Sequence, residues 1–307
     1  MSTRMVVAAL TLVVPARSEA TDLGSLISSW RTDDGGLVLT AIGAAAITTY
    51  AAIALADRRR KALAWGPASV GFVLGVLVCL WAFCSGLGSL NDRAPGVVVA
   101  DHLALVTVAP VLLAFGAPIR RAAAVRHRLP GTRRSLPTVV TVAFHPAVAF
   151  AILFGLEYLF LLSPLYGWTL ANQSGGDLVR GAFLLAGCFY WWPIVGADTW
   201  PRTMSGGVRM LDLAATLPFT AFLGIDLTLT EKRLSRSRSL EATHVAGAEL
   251  WGYPTLFTLA ALGAVFLWWM RQEDDRAAAQ DAALDTIDAA EAIVQEAEMR
   301  LDEDGDE

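Results

Sequence analysis

Long apolar runs recur along the chain, and they constrain its fold more than any other feature. About seven runs of roughly 20 residues are each long enough to cross the hydrocarbon core of a bilayer as a helix. They cover residues 37–56, 67–86, 96–114, 137–162, 178–195, 210–229 and 246–270. A spanning segment must satisfy its own backbone hydrogen bonds, which a helix does. The sequence therefore predicts an all-α fold, a polytopic membrane bundle of about seven transmembrane helices.

Composition supports a membrane protein and excludes other classes. Hydrophobic residues make up 55% of the chain and charged residues 17%, and a soluble domain cannot bury so many long apolar runs. The net charge is −5, with acid concentrated at the C-terminus, so nucleic-acid binding has no support. Three cysteines, Cys79, Cys84 and Cys188, lie in apolar runs. An odd number in such positions indicates small buried side chains rather than a disulfide framework.

The runs divide the chain into three parts. Residues 1–36 form an N-terminal segment whose first 20 residues are a candidate signal peptide. Residues 37–270 form the membrane domain, and residues 271–307 form an acidic tail helix with a disordered end. In the tail, Ile287, Val294 and Leu301 recur every seven residues. This spacing is typical of a coiled-coil seam, although a solvated helix without a partner fits an alanine-rich tail as well.

Basic loops predict the orientation of the bundle. Residues 57–61 and 120–134 are rich in Arg and lie on one side if the spans alternate. Positive loops favour the cytoplasm, so the N-terminus is expected outside and the C-terminal tail in the cytoplasm. The basic loop at 231–243 argues the other way, and the two stronger loops outweigh it.

Polar side chains gather toward the predicted outer ends of the spans. A charge within a span is costly, so such groups tend to share a cavity. The alternative is that several of them merely reach the lipid headgroups, where charges cost little. The residues are Cys84, Asp101, His102, Glu157, Asp177, Arg180, Asp226, His244 and Glu249.

His102 is the best candidate metal ligand in this group, with Cys84 and Asp101 as further ligands. Imidazole suits copper, and a thiolate suits copper(I). No HxxxH, CxxC or Met-rich cluster completes the site, and a lone His on an apolar helix is often a hydrogen-bonded core residue. Glu157, Asp177, Arg180 and Asp226 form a polar cluster whose role the sequence leaves open. GxSxG, HExxH and P-loop patterns do not occur in a supporting context, so we expect no enzyme activity.

Several ordered motifs resemble one known family. VVVADHLALVTVAPVLLAFGAPIR, SPLYGWTLAN, FLLAGCFYWWPIVGAD, LPFTAFLG, AGAELWGYP and WWMRQEDD are similar to the motifs of CtaG-type cytochrome c oxidase assembly factors, over residues 37–276. The resemblance implies a heptahelical protein of the bacterial plasma membrane. It also implies a role in delivering copper to a haem-copper oxidase, and oxidase subunits as partners.

The chain departs from the family at most of the presumed histidine ligands. His102 matches one of them, while other residues stand where the family pattern has histidine. Copper is therefore not expected to be tightly bound. Arg180 stands at one of these positions, and we hypothesise that its guanidinium replaces the charge of a metal beside Asp177, Glu157 or Asp226. The replaced positions are Val98, Leu162, Gly176, Arg180, Ala182 and Thr220.

Three functions follow in order of preference. The first is a divergent factor in cytochrome c oxidase assembly, acting at the copper centre with a degenerate metal site. The second is a metal-free accessory subunit or scaffold of a respiratory complex. The third is a transporter of a small solute or metal, ranked last because the spans show no repeat symmetry or paired broken helices.

Overall fold

The computed structural model describes residues 30–58, 66–85, 95–126, 138–198, 204–232 and 239–305. Within these ranges every regular element is a helix. Trp30 and Ser85 also form an isolated antiparallel β-bridge. The predicted all-α class is confirmed. The helices are α1 (Asp34–Arg58), α2 (Pro67–Cys84), α3 (Pro95–Leu103), α4 (Ala109–Phe115), α5 (Pro118–Arg126), α6 (Thr138–Ala143), α7 (Pro146–Leu162), α8 (Leu165–Ala171), α9 (Gln173–Val195), α10 (Gly206–Leu229) and α11 (Leu240–Gly305).

Six helical segments of the described chain are long and apolar enough to cross a membrane. A seventh arises if α7 and α8, which meet at an angle of 73°, form one broken span. The predicted bundle of about seven helices is confirmed at this level. The bend follows Ser163 and Pro164, because a proline nitrogen cannot continue the hydrogen-bond ladder of the preceding helix. The six spans are Asp34–Leu55, Pro67–Cys84, Val98–Ala123, Gln173–Val195, Gly206–Leu229 and Leu240–Glu291.

The third span is interrupted twice. A π-helical turn, Ala104–Val108, separates α3 from α4, and such turns often occur at functional sites. Beyond α4, Ala117 has a φ of 48°, a left-handed conformation that is uncommon for a residue with a side chain. This residue redirects the chain into α5. Asp198 accepts hydrogen bonds from the backbone N–H groups of Ile119 and Arg120, which caps the start of α5.

Local capping also sets the bounds of the last spans. The Asn172 side chain accepts a hydrogen bond from the Gly175 N–H at 3.0 Å and begins α9. Gly196, with a φ of 61°, ends α9 in the left-handed conformation that glycine tolerates. At the crossing of α10 and α11, a side chain at Gly247 would come within 2.8 Å of the Gly224 carbonyl oxygen. Glycines therefore allow these two helices to pack closely.

The ends of the spans alternate as the sequence predicts. The Arg31 N–H donates to the Cys84 carbonyl oxygen at 2.6 Å, so the start of α1 lies beside the end of α2. Asp101 near the start of the third span meets Arg180 near the start of α9. We call this the His102 end of the bundle. Asp198 and α5 lie at the opposite end. The aromatic core between them includes Phe150, Phe154, Phe183, Tyr190, Trp191 and Phe257.

The last helix continues from the membrane domain into the tail without a break. It is 66 residues long, and Leu284 and Ile287 in its tail part are 58% and 53% exposed. The coiled-coil seam and the disordered end of the chain stay predictions. The candidate signal peptide lies outside the described residues, as do most of the basic loops 57–61 and 120–134. The orientation of the bundle is therefore a prediction too.

Candidate functional site

An ion pair between α3 and α9 forms the centre of the His102 end. Arg180 donates from Nε to Asp101 Oδ2 at 2.9 Å and from Nη2 to Oδ1 at 2.7 Å. The Arg180 side chain is 15% exposed and the Asp101 side chain 14%. Arg180 Nη2 also donates to the Ala82 carbonyl oxygen, and the guanidinium carbon lies 5.1 Å from the centre of the Phe83 ring. The planar guanidinium fork thus joins three spans, because it matches both carboxylate oxygens.

The pair continues into a chain of alternating charges. Asp177, one helical turn before Arg180, lies 3.7 Å from its Nη1. Arg31 donates to both oxygens of Asp177, at 3.0 and 2.9 Å, and pairs with Asp33 at 2.8 Å. We call the five residues Asp33, Arg31, Asp177, Arg180 and Asp101 the charge ladder. It ties the segment before α1 to α3 and α9.

Arg31 and Asp33, at the outer end of the charge ladder, shift each other's pKa. Hydrogen bonds to Asp33 and Asp177 outweigh burial and raise the pKa of Arg31. The hydrogen bond from Arg31 holds the pKa of Asp33 below its usual value. Arg31 and Asp33 were not predicted as members of the site, because both lie in the polar N-terminal segment. The signal available was their position directly before the first apolar run.

A second polar pair lies beside the ladder. His102 Nε2 is 3.3 Å from Glu157 Oε1, which joins α3 to α7. The imidazole ring meets the Phe183 ring edge to face, with ring centres 4.7 Å apart. The His102 side chain is 14% exposed and that of Glu157 is 9% exposed. The lone histidine therefore has a carboxylate partner, as a buried polar group requires.

A partly open pocket lies against this pair. Its empty space, including the part open to the outside, measures about 560 Å³. His102, Glu157 and the hydroxyl-bearing Tyr166 supply its polar side chains, and apolar side chains from α3 and α7 to α11 supply most of its walls. The lining residues are Val98, Val99, His102, Glu157, Phe160, Leu161, Tyr166, Phe183, Leu227, Ala242, Ala246 and Leu250.

Two predicted members lie apart from these pairs. The Cys84 thiol is fully buried, with Thr40 Oγ1 and the Gly36 carbonyl oxygen each 3.8 Å from its sulfur. Asp226 on α10 is exposed, and no hydrogen bond or ion pair joins it to the others within the described residues. The structure thus brings Asp101, Asp177 and Arg180 together, and separately His102 with Glu157.

The predicted ligands do not fit a copper centre. In the part of the chain that the structure describes, His, Cys, Asp and Glu form no group of three or more that could hold a metal ion. The Asp101 carboxylate is paired with Arg180, and His102 Nε2 contacts Glu157, so His102 could offer a metal at most one ring nitrogen. Copper(I) prefers soft sulfur and imidazole donors, and a carboxylate–guanidinium pair offers neither.

The Arg180 hypothesis needs a correction in its partners. The sequence suggested Asp177, Glu157 or Asp226 as the carboxylates that it neutralises. Asp177 is a partner, but the closest contact is to Asp101, which was assigned as a metal ligand. Glu157 instead pairs with His102. The positive charge of Arg180 therefore pairs with the residue directly before His102 and not with Glu157.

Comparisons with known proteins agree with the motifs. A family model described as cytochrome c oxidase caa3 assembly factor matches residues 48–272, which include every predicted site residue but exclude Arg31 and Asp33. Uncharacterized proteins of Mycobacterium bovis and Mycobacterium tuberculosis are each 26% identical over 302 residues, covering 89% of this chain and 45% of their own length.

An uncharacterized protein of Mycobacterium leprae is 28% identical over 254 residues, covering 74% of this chain and 38% of its own length. The chain thus spans less than half the length of these curated relatives. No solved structure matches the chain.

Proposed function

This chain belongs to the cytochrome c oxidase caa3 assembly factor family, and from that premise we propose that it assists oxidase assembly as an integral protein of the bacterial plasma membrane. Its N-terminus lies outside and its tail in the cytoplasm, as the basic loops favour. The stage is formation of the copper centre, which the sequence resemblance implies for the family. The chain is not an enzyme in this role.

The chain acts through contacts with oxidase subunits rather than as a copper carrier. The observation that carries this step is the Arg180–Asp101 pair, with contacts at 2.9 and 2.7 Å. A fixed guanidinium at the centre of the polar site repels a second cation and occupies the carboxylate that would bind it. The charge ladder thereby holds α3 and α9 in place without a metal.

The test is a deletion strain examined through its oxidase. We expect lower oxidase activity in membranes, and a lower copper-to-haem ratio in the oxidase purified from them. The wild-type gene should restore both. A deletion strain whose oxidase has normal activity and a normal copper-to-haem ratio would contradict the proposal.

Residue exchanges separate the roles of the two ion pairs. Arg180→Gln should fail to restore oxidase activity, while Arg276→Gln should restore it. Arg276 is the matched control because its contact with Glu273 is also 2.7 Å, but the two side chains are 57% and 51% exposed. Equal complementation by both variants would argue against a role for the charge ladder.

The tail favours a second candidate, a stably bound accessory subunit. Leu284 and Ile287 expose apolar side chains on the long last helix, and such side chains suit a partner helix. Purification of the mature oxidase distinguishes the two roles. A subunit is present in stoichiometric amount, whereas an assembly factor is absent.

A further inference from the structure

Arg209 lies at the end of the bundle opposite to His102, beside the end of α9 and the start of α10. The residue is 7% exposed, and its Nε donates to the Met204 carbonyl oxygen at 3.1 Å. In the part of the chain that the structure describes, Nη1 and Nη2 have no acceptor, and no carboxylate forms an ion pair with the guanidinium. A mostly buried cation without a counter-charge is costly, so an anion that reaches Arg209 would be bound favourably.

The neighbours of Arg209 hold its guanidinium in place and leave one edge open. The guanidinium carbon lies 4.5 Å from the centre of the Trp268 ring, a cation–π contact. At Gly196, which ends α9, a methyl group would overlap the guanidinium, so glycine leaves the space that the fork takes up. Nη1 and Nη2 are not among the fully buried polar atoms that lack a partner, so both reach the surface of the bundle. The two atoms therefore face a ligand in a fixed geometry.

The start of α10 is a second source of positive potential at the same place. The helix is 24 residues long, and its first turn contains no acidic residue. Met204, whose carbonyl oxygen holds Arg209, directly precedes the N-cap residue Ser205. The free N–H groups of a helix N-terminus attract anions, and phosphate in particular. At Gly207 nothing lies within 4 Å of the position that a side chain would take, so a ligand has room beside the first turn.

Three spans begin or end at the level of Arg209. The last residue of α9 is Val195, and α10 begins at Gly206. The apolar run of α11 ends at Met270, two residues after Trp268. The ends of the spans mark the depth of the lipid head groups, where tryptophan is enriched. Lipid phosphates and soluble phosphates on that side of the membrane are both within reach of Arg209.

We propose that Arg209 and the start of α10 form a binding site for one phosphate group. Two oxygens of the phosphate accept hydrogen bonds from Nη1 and Nη2, because the planar fork fits phosphate as it fits carboxylate. The partial positive charge of the helix start adds to the attraction. The phosphate belongs to a lipid head group or to a soluble molecule, and both sources share this chemistry. The site goes beyond the role in oxidase assembly and does not depend on it.

The experiment uses the full chain in an uncharged detergent and follows its unfolding temperature. Phosphatidylglycerol and inorganic phosphate are titrated separately, and diacylglycerol is the control that has the apolar part of the lipid without the phosphate. We expect at least one phosphate probe to raise the unfolding temperature, because a ligand of the folded state stabilises it. Stabilisation by phosphatidylglycerol alone identifies a lipid source, and stabilisation by inorganic phosphate identifies a soluble one. Stabilisation by neither, or equal stabilisation by diacylglycerol, would overturn the proposal.

Two arginine variants separate the site from general charge effects. Arg271 is the control, since it is exposed on α11 three residues after Trp268. The half-saturating concentration of the effective probe should rise about tenfold in Arg209→Gln, as expected for losing one hydrogen bond to a charged group. The same concentration should stay unchanged in Arg271→Gln. Equal changes in the two variants would overturn the proposal.

Two variants of Gly207 keep the test independent of whether Arg209→Gln folds. Gly207→Glu adds a carboxylate at the helix start, which favours the helix but repels a phosphate. Gly207→Gln adds a side chain of the same size without the charge. We expect Gly207→Glu to unfold no earlier than the wild-type chain and to lose the response to the probe, while Gly207→Gln keeps it. If the two variants respond alike, whether the response is kept or lost, the proposal is wrong.

Discussion

Arg180 and Asp101 are 79 positions apart in the chain and share two hydrogen bonds of 2.9 and 2.7 Å. Asp177 lies on the other side of the Arg180 guanidinium at 3.7 Å. Arg31 pairs with the same Asp177 carboxylate and balances its charge. Buried charges are tolerated when they are paired and hydrogen-bonded. In this ladder, each internal charge has an opposite charge on both sides, so protein groups alone balance the internal charges.

Removal of Arg180 should destabilise the bundle strongly. Arg180→Gln leaves Asp101 with its negative charge in a mostly buried site, which costs about 3 kcal/mol. The exposed pair of Arg276 and Glu273 contributes about 0.5 kcal/mol or less, so Arg276→Gln should be nearly neutral. Thermal unfolding of the purified variants in detergent measures both.

A compensating exchange gives the control for this prediction. Asp101→Asn combined with Arg180→Gln removes both charges, and its stability should exceed that of Arg180→Gln alone. If the double variant is no more stable than the single one, the two residues are not coupled in the way their geometry indicates.

Close packing of α9 against the π-helical turn makes Gly187 sensitive to substitution. A methyl group there would overlap the Val106 carbonyl oxygen and lie 2.9 Å from Pro110 Cγ. Gly187→Ala should therefore cost about 1–3 kcal/mol through overpacking. Gly181, on the same helix, has nothing within 4 Å of the added group, so Gly181→Ala should gain about 0.5–1 kcal/mol from helix propensity. Equal unfolding temperatures for Gly187→Ala and Gly181→Ala would show that α9 and the π-helical turn move apart at little cost.

Asp198 should make stability depend on pH at the opposite end of the bundle. Burial raises its pKa, although hydrogen bonds from Arg120, Ile119 and Trp192 partly offset this. The folded state then holds the proton more tightly than the unfolded state. The stabilisation is complete below the usual aspartate pKa of about 4 and is lost as pH rises through the folded value. In Asp198→Asn, the unfolding temperature should therefore depend less on pH between the usual aspartate pKa and the raised pKa of the folded state.

Asp33 provides a control of opposite sign. Its pKa is lowered by Arg31, so its stabilisation is present above the usual aspartate pKa and is lost as pH falls through the folded value. Asp33→Asn should therefore lose less stability than the wild-type chain when the pH falls below the usual aspartate pKa. If both variants change the profile in the same direction, the assigned shift of one of them is wrong.

The tail should contribute to partner binding and not to the stability of the isolated chain. Leu284 and Ile287 are more than half exposed, so replacing both with Asp should leave the unfolding temperature of the purified protein unchanged. The same variant should retain less of any membrane partner during mild purification. A fall of several degrees in the unfolding temperature would instead place these side chains in contacts within the chain.

The positions of the spans and the clustering of polar groups at one end could be predicted from the sequence. Apolar length and the cost of a charge in lipid are properties of each segment, so the start of α2 and the ends of α7, α9 and α10 match their predicted bounds. Alternation of the spans then brought Asp101, His102, Glu157 and Arg180 to one end.

The pairing of those groups could not be predicted. It depends on how each helix is rotated about its axis, and an almost uniformly apolar helix gives no periodic signal for this rotation. Asp101 was therefore assigned to a metal rather than to Arg180. The π-helical turn and the 73° bend between α7 and α8 depend on neighbouring helices, since breaks in the backbone ladder are tolerated where packing satisfies the freed groups.

Whether the polar site holds a metal can be measured as the copper content of the protein purified in detergent, by elemental mass spectrometry beside a His102→Ala variant. If the Arg180–Asp101 pair closes the polar site, neither protein contains copper above the level of a buffer blank. About one copper per chain, lost in His102→Ala, would show that the Arg180–Asp101 pair does not exclude a metal and would identify His102 as a ligand.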